Sequence, residues 1–203
     1  MPQEHPRGGD LIGPRDWRKI LPFEADASSD RLGWVGLEAA RYRAAPASQL
    51  EHPSITHHRL VLFLRPPDEL DLRYDGVKRH VPPPAGAISV IPAGSPARWR
   101  WSGRPDGLHI YLEPGLVTRV AAEAFDLDAV RAPVPPLDGM DLPRLRAAML
   151  AVNDELTAGA ARGQLGVHRP QRGPHVRQVQ AIQRRHRQPR WVEVERLGGD
   201  PRD

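Results

Sequence analysis

The sequence predicts a mainly β fold, a small barrel or sandwich of about six to eight short strands, followed by two helices. Three observations predict it. Side-chain character alternates with period two in short runs between residues 32 and 112, turns rich in Gly, Pro and Asp interrupt those runs at close spacing, and after Pro114 the apolar period lengthens to that of a helix.

Residues 1–25 contain Pro2, Pro6, Gly8, Gly9, Gly13 and Pro14, a density of breakers that predicts a flexible N-terminal arm. The barrel is then expected over 26–113. Leu32 to Tyr42 and Ile55 to Leu64 read as strands on either side of Pro46, although the alanine-rich stretch from Leu37 to Ala45 also suits a short helix. The second run is apolar on both faces after Arg59, as expected of a central strand covered on both sides. Leu70 to Tyr74 and Val77 to Val81 flank Asp75-Gly76, a hairpin signal. Pro82, Pro83 and Pro84 then bar sheet pairing. From Ile88 to Leu112 two turns, Pro92 to Pro96 and Ser102 to Gly107, separate further strand segments. Trp99 and Trp101 lie two apart and share one face, while Arg98 and Arg100 share the other.

Residues 114–161 read as the two-helix region. Leu116, Val117, Val120, Ala121, Ala124 and Phe125 make an apolar stripe, and a proline-rich linker from Ala132 to Gly139 follows. Asp141 is placed to cap a second helix, with Gly159 to end it. On that helix Leu142, Leu145, Met149, Val152 and Leu156 fall at spacings of three and four. Such a seam serves either a contact between two chains or packing on the helix's own barrel.

Residues 162–203 differ from the rest in composition. They hold ten arginines against four acids, so the first 161 residues keep 19 bases against 21 acids. Apolar residues there are sparse and aperiodic, which predicts a disordered tail. The basicity of the chain, and any attraction for nucleic acid, belongs to that tail.

The chain has no cysteine, which removes disulfides, thiolate nucleophiles and Cys-ligated metals. It shows no signal-peptide run and no membrane-length apolar stretch, so a cytoplasmic location is expected. Asp68, Glu69, Asp71 and Asp75 cluster around a turn and read as solvated charges rather than a paired acid and base. With no nucleophile motif, phosphate loop or metal triad, the chain does not read as an enzyme, and no cofactor is expected.

Several stretches resemble, in combination, one known family: GLEAARYR (36–43), HHRLVLFL (57–64), GAISVIPAGSP (86–96), ARWRW (97–101) and LHIYLEPGLVTRVAAE (108–123). Together they are similar to the N-terminal sensor domain of AraC-type bacterial transcription regulators. That resemblance covers about Asp26 to Ala158. It implies a cupin-like β-barrel that binds a small organic effector, an N-terminal arm able to fold over it, and a homodimer formed through the helices, here Leu142, Leu145, Met149, Val152 and Leu156. The family's C-terminal helix-turn-helix reader has no counterpart in residues 162–203, so the expected module is a sensor lacking its own sequence-specific DNA reader.

The resemblance to metal-binding cupins at Pro92-Ala93-Gly94 breaks where a ligand histidine would stand, which is Ala97. His57 and His58 are adjacent and face opposite ways on a strand, so no metal is expected. His57, His58, Arg59, Trp99, Trp101, His109 and Tyr111 are the candidate ligand-binding residues, because aromatic faces and a few polar groups orient small ligands. Each also has a packing role open to it. Two other functions remain open: a nonspecific nucleic-acid binder acting through the basic tail, and a small cupin-like enzyme.

Overall fold

The computed structural model describes residues 11–125 and 134–164. These build two antiparallel sheets with helices against one of them, so the chain is mainly β. The strands are β1 (Ala27–Ser28), β2 (Leu37–Tyr42), β3 (Ser48–His52), β4 (His58–Arg65), β5 (Leu70–Tyr74), β6 (Val77–Arg79), β7 (Ile88–Ile91), β8 (Ala97–Trp101), β9 (Asp106–Leu112) and β10 (Leu137–Met140). The helices are α1 (Pro14–Ile20), α2 (Pro114–Phe125) and α3 (Pro143–Gln164). One sheet runs β1-β2-β9-β4-β7-β10 and the other β3-β8-β5-β6.

The expected central strand is central. β4 pairs with β9 on one side and β7 on the other, and its apolar residues on both faces follow from being covered twice. Leu60 and Leu62 join Ala39, Ile88, Val90, Leu108 and Ile110 in a core shared with Met149 and Leu156 of α3. Val61 and Phe63 point the other way, into a second core with Leu70, Leu72, Tyr74, Ile91, Ala97 and Trp99 between the sheets. On β8 the alternation holds as expected: Ala97 and Trp99 are buried, and Arg98 and Arg100 are exposed. Asp75 and Gly76 both take positive φ, at 43° and 77°, which is the two-residue turn that suits the twist of a β5–β6 hairpin.

Several expectations change. Residues 11–25 are no loose arm. Pro14 starts α1, where its missing N–H costs nothing, and Trp17, 2% exposed, anchors the helix in a cluster with Ile55 and Tyr111. A backbone bridge between Ile12 and Ile55 ties down its entry. The arm is held by burial of a large aromatic side chain, which a count of breakers does not register.

The strand expected over Leu32 to Tyr42 begins only at Leu37, because Gly33 and Gly36 take positive φ. The described residues hold ten strands rather than six to eight. The described part of the expected linker runs into β10, which extends the larger sheet by pairing with β7. Asp138 accepts from Ser89 Oγ at 2.7 Å and pairs with Arg79, and Tyr74 donates its hydroxyl proton to the Leu137 carbonyl. That polar knot recruits the segment to the sheet edge.

α3 begins at Pro143 rather than after a cap at Asp141, whose carboxylate instead accepts from Arg146 at 2.8 Å. Gly159 lies within the helix and leaves room for Leu32, whose Cδ2 stands 2.7 Å from where a Cβ would be. Of the two uses open to the seam, packing on the helix's own barrel is seen within this chain: Met149 and Leu156 are 1% and 0% exposed, and Leu142, Leu145 and Val152 pack against the same core. A sheet face as apolar as that of β1, β2 and β9 needs a cover, and α3 supplies it. The stripe on α2 lies half-open, with Val120 exposed and Leu116 and Val117 half-buried.

Residues 1–10, and the tail from 165 onward, lie outside the described residues. Among the described residues no helix is long and apolar enough to cross a membrane.

Candidate functional site

Odd-numbered residues of β4 and β9 face the space between the sheets. The register sets Arg59 opposite Tyr111, Val61 opposite His109 and Phe63 opposite Gly107. On the other flank of β9, Ala40 faces His109 and Tyr42 faces Gly107. Gly107 thus stands between two large aromatic residues and contributes no side chain of its own. A cavity opens there, lined among others by Tyr42, His52, Phe63, Trp99, Trp101 and His109. About 70 Å³ of it is open to water centres. Since roughly 10–15 Å³ of such space holds one water, there is room for about five. Leu21 and Phe23, which follow α1, complete its wall, and Phe23 meets Tyr42 and Trp101 edge-on at 5.5 and 5.9 Å.

The polar side of this space has an unusual charge arrangement. Arg59 is 2% exposed, and among the described residues no carboxylate pairs with it. One terminal nitrogen donates to Nδ1 of His52 at 2.5 Å, the guanidinium carbon lies 5.6 Å from the Trp99 ring centroid, and Nε has no acceptor. His52 is therefore fixed with Nδ1 as acceptor. Burial, then the nearby guanidinium, holds its pKa well below the ordinary histidine value. His109 is half-buried and lines the cavity, and the same two causes push its pKa down to about 3. Both imidazoles are neutral at ordinary pH. Burial also lowers the Arg59 pKa, opposed by the nearby Tyr111 and Tyr42 hydroxyls, but a guanidinium starts so high that it stays charged. Besides Arg59 Nε, the indole nitrogens of Trp99 and Trp101 are buried without partners among the described residues, and the Tyr42 hydroxyl lies near that of Tyr111.

The seven candidate residues separate accordingly. Trp99, Trp101 and His109 line the cavity. Arg59 stands behind His52 and Trp99, one side-chain layer from the open space. Tyr111 shares the interior face but is fully buried under Trp17, with its hydroxyl 3.5 Å from His109 Nδ1. His57 and His58 are not brought to the cavity. His57 bonds Thr56 at 2.8 Å just ahead of β4. His58 accepts from the Ala93 backbone N–H at 3.0 Å, on the helix-covered side of the sheet. The sequence reading missed His52, Tyr42, Phe63 and Phe23. His52 had a signal: Ser48, Leu50 and His52 alternate between Pro46 and Pro53, a strand pattern obscured by Gln49 and Glu51. Among the described residues no group of three His, Asp or Glu side chains is placed to hold a metal.

No family model and no curated protein matches the chain. Solved structures similar to it are cupin-type barrels and related proteins. A cupin 2 conserved barrel domain protein from Salinispora arenicola is 16% identical over 51% of this chain and 80% of its own, with a TM-score of 0.34. The EutQ protein of Clostridium difficile is 16% identical over 38% of this chain and 56% of its own, with a TM-score of 0.31, so a little under half of that relative lies outside the match. A conserved protein of unknown function from Streptococcus pyogenes is 17% identical over 40% of this chain and 68% of its own, with a TM-score of 0.33.

Proposed function

We propose that this chain is a small-molecule-binding barrel, a sensor module of the kind its resemblance to AraC-type regulators implies, in which the cavity between the sheets holds the effector. The observation that carries the reading is the cavity itself. Its wall is aromatic, a few buried polar groups converge on one side, and Gly107 leaves the space that a side chain would otherwise fill. Two neutral histidines and a guanidinium favour recognition of a ligand over proton transfer, since neither imidazole is poised to exchange protons near neutral pH. The cation fixed on His52 also opposes a second cation, so the ligand of this reading is organic and binds without metal. α1 carries Trp17 on the interior cluster, and Leu21 and Phe23 just beyond it touch the cavity. Occupancy is thereby coupled to the arm. A homodimer, which the resemblance also implies, would use a face other than Met149 and Leu156; Leu150, exposed on α3, marks one.

Titration of the full chain with benzoate, benzamide and phenol tests the reading. The cavity tryptophans should report saturable quenching, and a ligand at a hundred times its Kd should add about 2.7 kcal/mol to stability. Gly107→Val fills the space without a backbone penalty, since φ there is not positive and the nearest neighbour of a Cβ would be at 3.7 Å. It should abolish the response in a folded protein. A response unchanged by Gly107→Val refutes the assignment of the cavity.

A further inference from the structure

We propose that the ligand of this cavity is a small uncharged carboxamide on a flat apolar body, its carbonyl oxygen accepting from His109 and its N–H donating to Asp106. The inference rests on the cavity being the binding site and concerns what chemistry enters it.

The first argument is the pair of polar groups that flank Gly107. His109 Nε2 stands 3.7 Å from the point that a Cβ on Gly107 would occupy, so it borders the space that this glycine leaves open. Its Nδ1 edge is turned to the Tyr111 hydroxyl, 3.5 Å away. Tyr111 is fully buried, so its hydroxyl proton needs an acceptor. The Tyr42 hydroxyl beside it has a proton of its own to place, and His109 Nδ1 is the outlet for the pair. A lone pair on Nδ1 leaves the ring proton on Nε2, as a donor to the cavity. With its pKa pushed down to about 3, His109 offers that N–H without a charge. On the other side of Gly107, Asp106 lines the cavity with a carboxylate. Its Oδ1 accepts from the Ala44 backbone N–H at 2.7 Å and from Arg65 at 2.8 Å, and among the described residues Oδ2 has no partner. One donor and one acceptor thus flank the same glycine, and a primary amide presents the complement of both.

The second argument is charge. An anion in this space would meet the Asp106 carboxylate, while the Arg59 guanidinium, standing behind His52 and Trp99, is out of its reach. A cation would give up its water to an apolar wall that offers it one free carboxylate oxygen. Arg65 already sits on that carboxylate, and the charge of Arg59 lies one side-chain layer away. The unpartnered indole N–H groups of Trp99 and Trp101 are donors held within the wall, so they bring no further acceptor for a cation. Both signs of charge are opposed, and an uncharged ligand is not.

The third argument is size. Room for about five waters, walled by Phe63, Trp99, Trp101 and Tyr42, suits a flat body of a few heavy atoms. Aromatic faces hold such a body by offset and edge contacts, so the ring supplies the buried area and the amide fixes the orientation.

The experiment compares four flat isosteres on the full chain: benzamide, benzoate, acetophenone and benzamidine. Benzoate is charged and lacks the donor, acetophenone lacks the donor alone, and benzamidine is charged and lacks the acceptor. Benzamide should bind about 10-fold or more tighter than each of the others, the effect expected of one hydrogen bond to a charged group. Asp106→Asn keeps an acceptor for the Ala44 N–H and removes the charge, so it should close most of the gap between benzamide and benzoate. His109→Leu removes the donor and should weaken benzamide and acetophenone together. The parent protein supplies an independent readout: long-range nitrogen–proton correlation spectra should show His109 with its proton on Nε2, and a proton on Nδ1 overturns the proposal. So does a gap between benzamide and benzoate that is unchanged in folded Asp106→Asn. Any of the other three binding as tightly as benzamide overturns the carboxamide and leaves the cavity as a site for other ligands. Silence from all four overturns the cavity reading along with it.

Discussion

Trp17 lies against His52 with ring centroids 3.9 Å apart, so a helix near the start of the chain closes directly on the polar side of the barrel interior. The contact joins two segments that look unrelated in sequence, a breaker-rich arm and a short strand. It explains why α1, only seven residues long and too short to be stable alone, is ordered. The Arg18 contacts to Glu38 and Asp30 add a partly covered ion pair on the same helix, but the buried indole supplies the larger share of the stability.

Replacing Trp17 with Ala should therefore cost about 3–5 kcal/mol, the range for a buried Trp-to-Ala change. The arm should come free with it. Limited trypsin digestion reads this directly, since Arg15, Arg18 and Lys19 lie on α1, and cleavage there should accelerate well before the barrel unfolds. Unchanged cleavage at these three sites would show that the arm is held by something other than Trp17.

Met149→Glu should abolish folding rather than dissociate a dimer. Met149 is 1% exposed in a core shared with β1, β2 and β9, and a carboxylate there would be buried without a partner. Leu150→Glu, one residue on and 39% exposed, should be nearly neutral in stability. Circular dichroism with sedimentation separates the cases. A folded Met149→Glu monomer alongside a dimeric parent would restore the seam to a contact between chains.

The features legible in the sequence were those set by local pattern. Period two placed β8 and β9, a run apolar on both faces placed β4, the Asp75-Gly76 pair marked its hairpin, and the spacing of Trp99 and Trp101 placed both on one face. The seam from Leu142 to Leu156 was legible as a seam, but its partner was not, because a barrel face and a second helix demand the same apolar residues. Trp17 and β10 were illegible for a related reason: each is held by contacts with residues far away in the chain, 35 positions in the case of Trp17 and His52. In the cavity, sequence reasoning named Trp99, Trp101 and His109 and missed Tyr42, His52, Phe63 and Phe23. The residue that creates the space is Gly107, and its effect depends on which two strands flank it.

Affinity for DNA should reside in the tail. Its ten arginines against four acids attract phosphate, while the preceding 161 residues carry a small negative excess. Binding by the full chain should be sequence-independent and should fall steeply as salt rises, as counterion release requires. Truncation after Gln164, which keeps α3 whole, should remove it. Footprinting that reveals a discrete protected site at physiological salt would contradict this, because specific readout needs side chains held rigidly against base edges.

Stability should fall as pH drops from 7 to 5, and the barrel histidines should be responsible. His52 faces Arg59 and Trp17, and His109 faces Tyr42 and Tyr111; Asp106 lines the same cavity but pairs with Arg65, and among the described residues no acid pairs with either imidazole. Burial lowers the pKa of both in the folded state, that of His109 to about 3, whereas in the unfolded chain both should titrate near the ordinary value of about 6.5. Above that value both states are neutral and stability is complete. Below it the unfolded chain takes up protons that the folded chain refuses, so stability declines, for His109 by up to about 1.4 kcal/mol per pH unit down to about pH 3. Between pH 7 and 5 this amounts to about 2 kcal/mol for His109, with His52 and His58 contributing in the same direction. Most Asp and Glu carboxylates are still ionised at pH 5, so the window isolates the imidazoles. Urea midpoints at the two pH values measure the effect, and His109→Gln, which keeps a polar group of similar size, should remove a measurable part of the decline. A midpoint that does not move with pH in the parent protein would mean that protons reach these rings in the folded state.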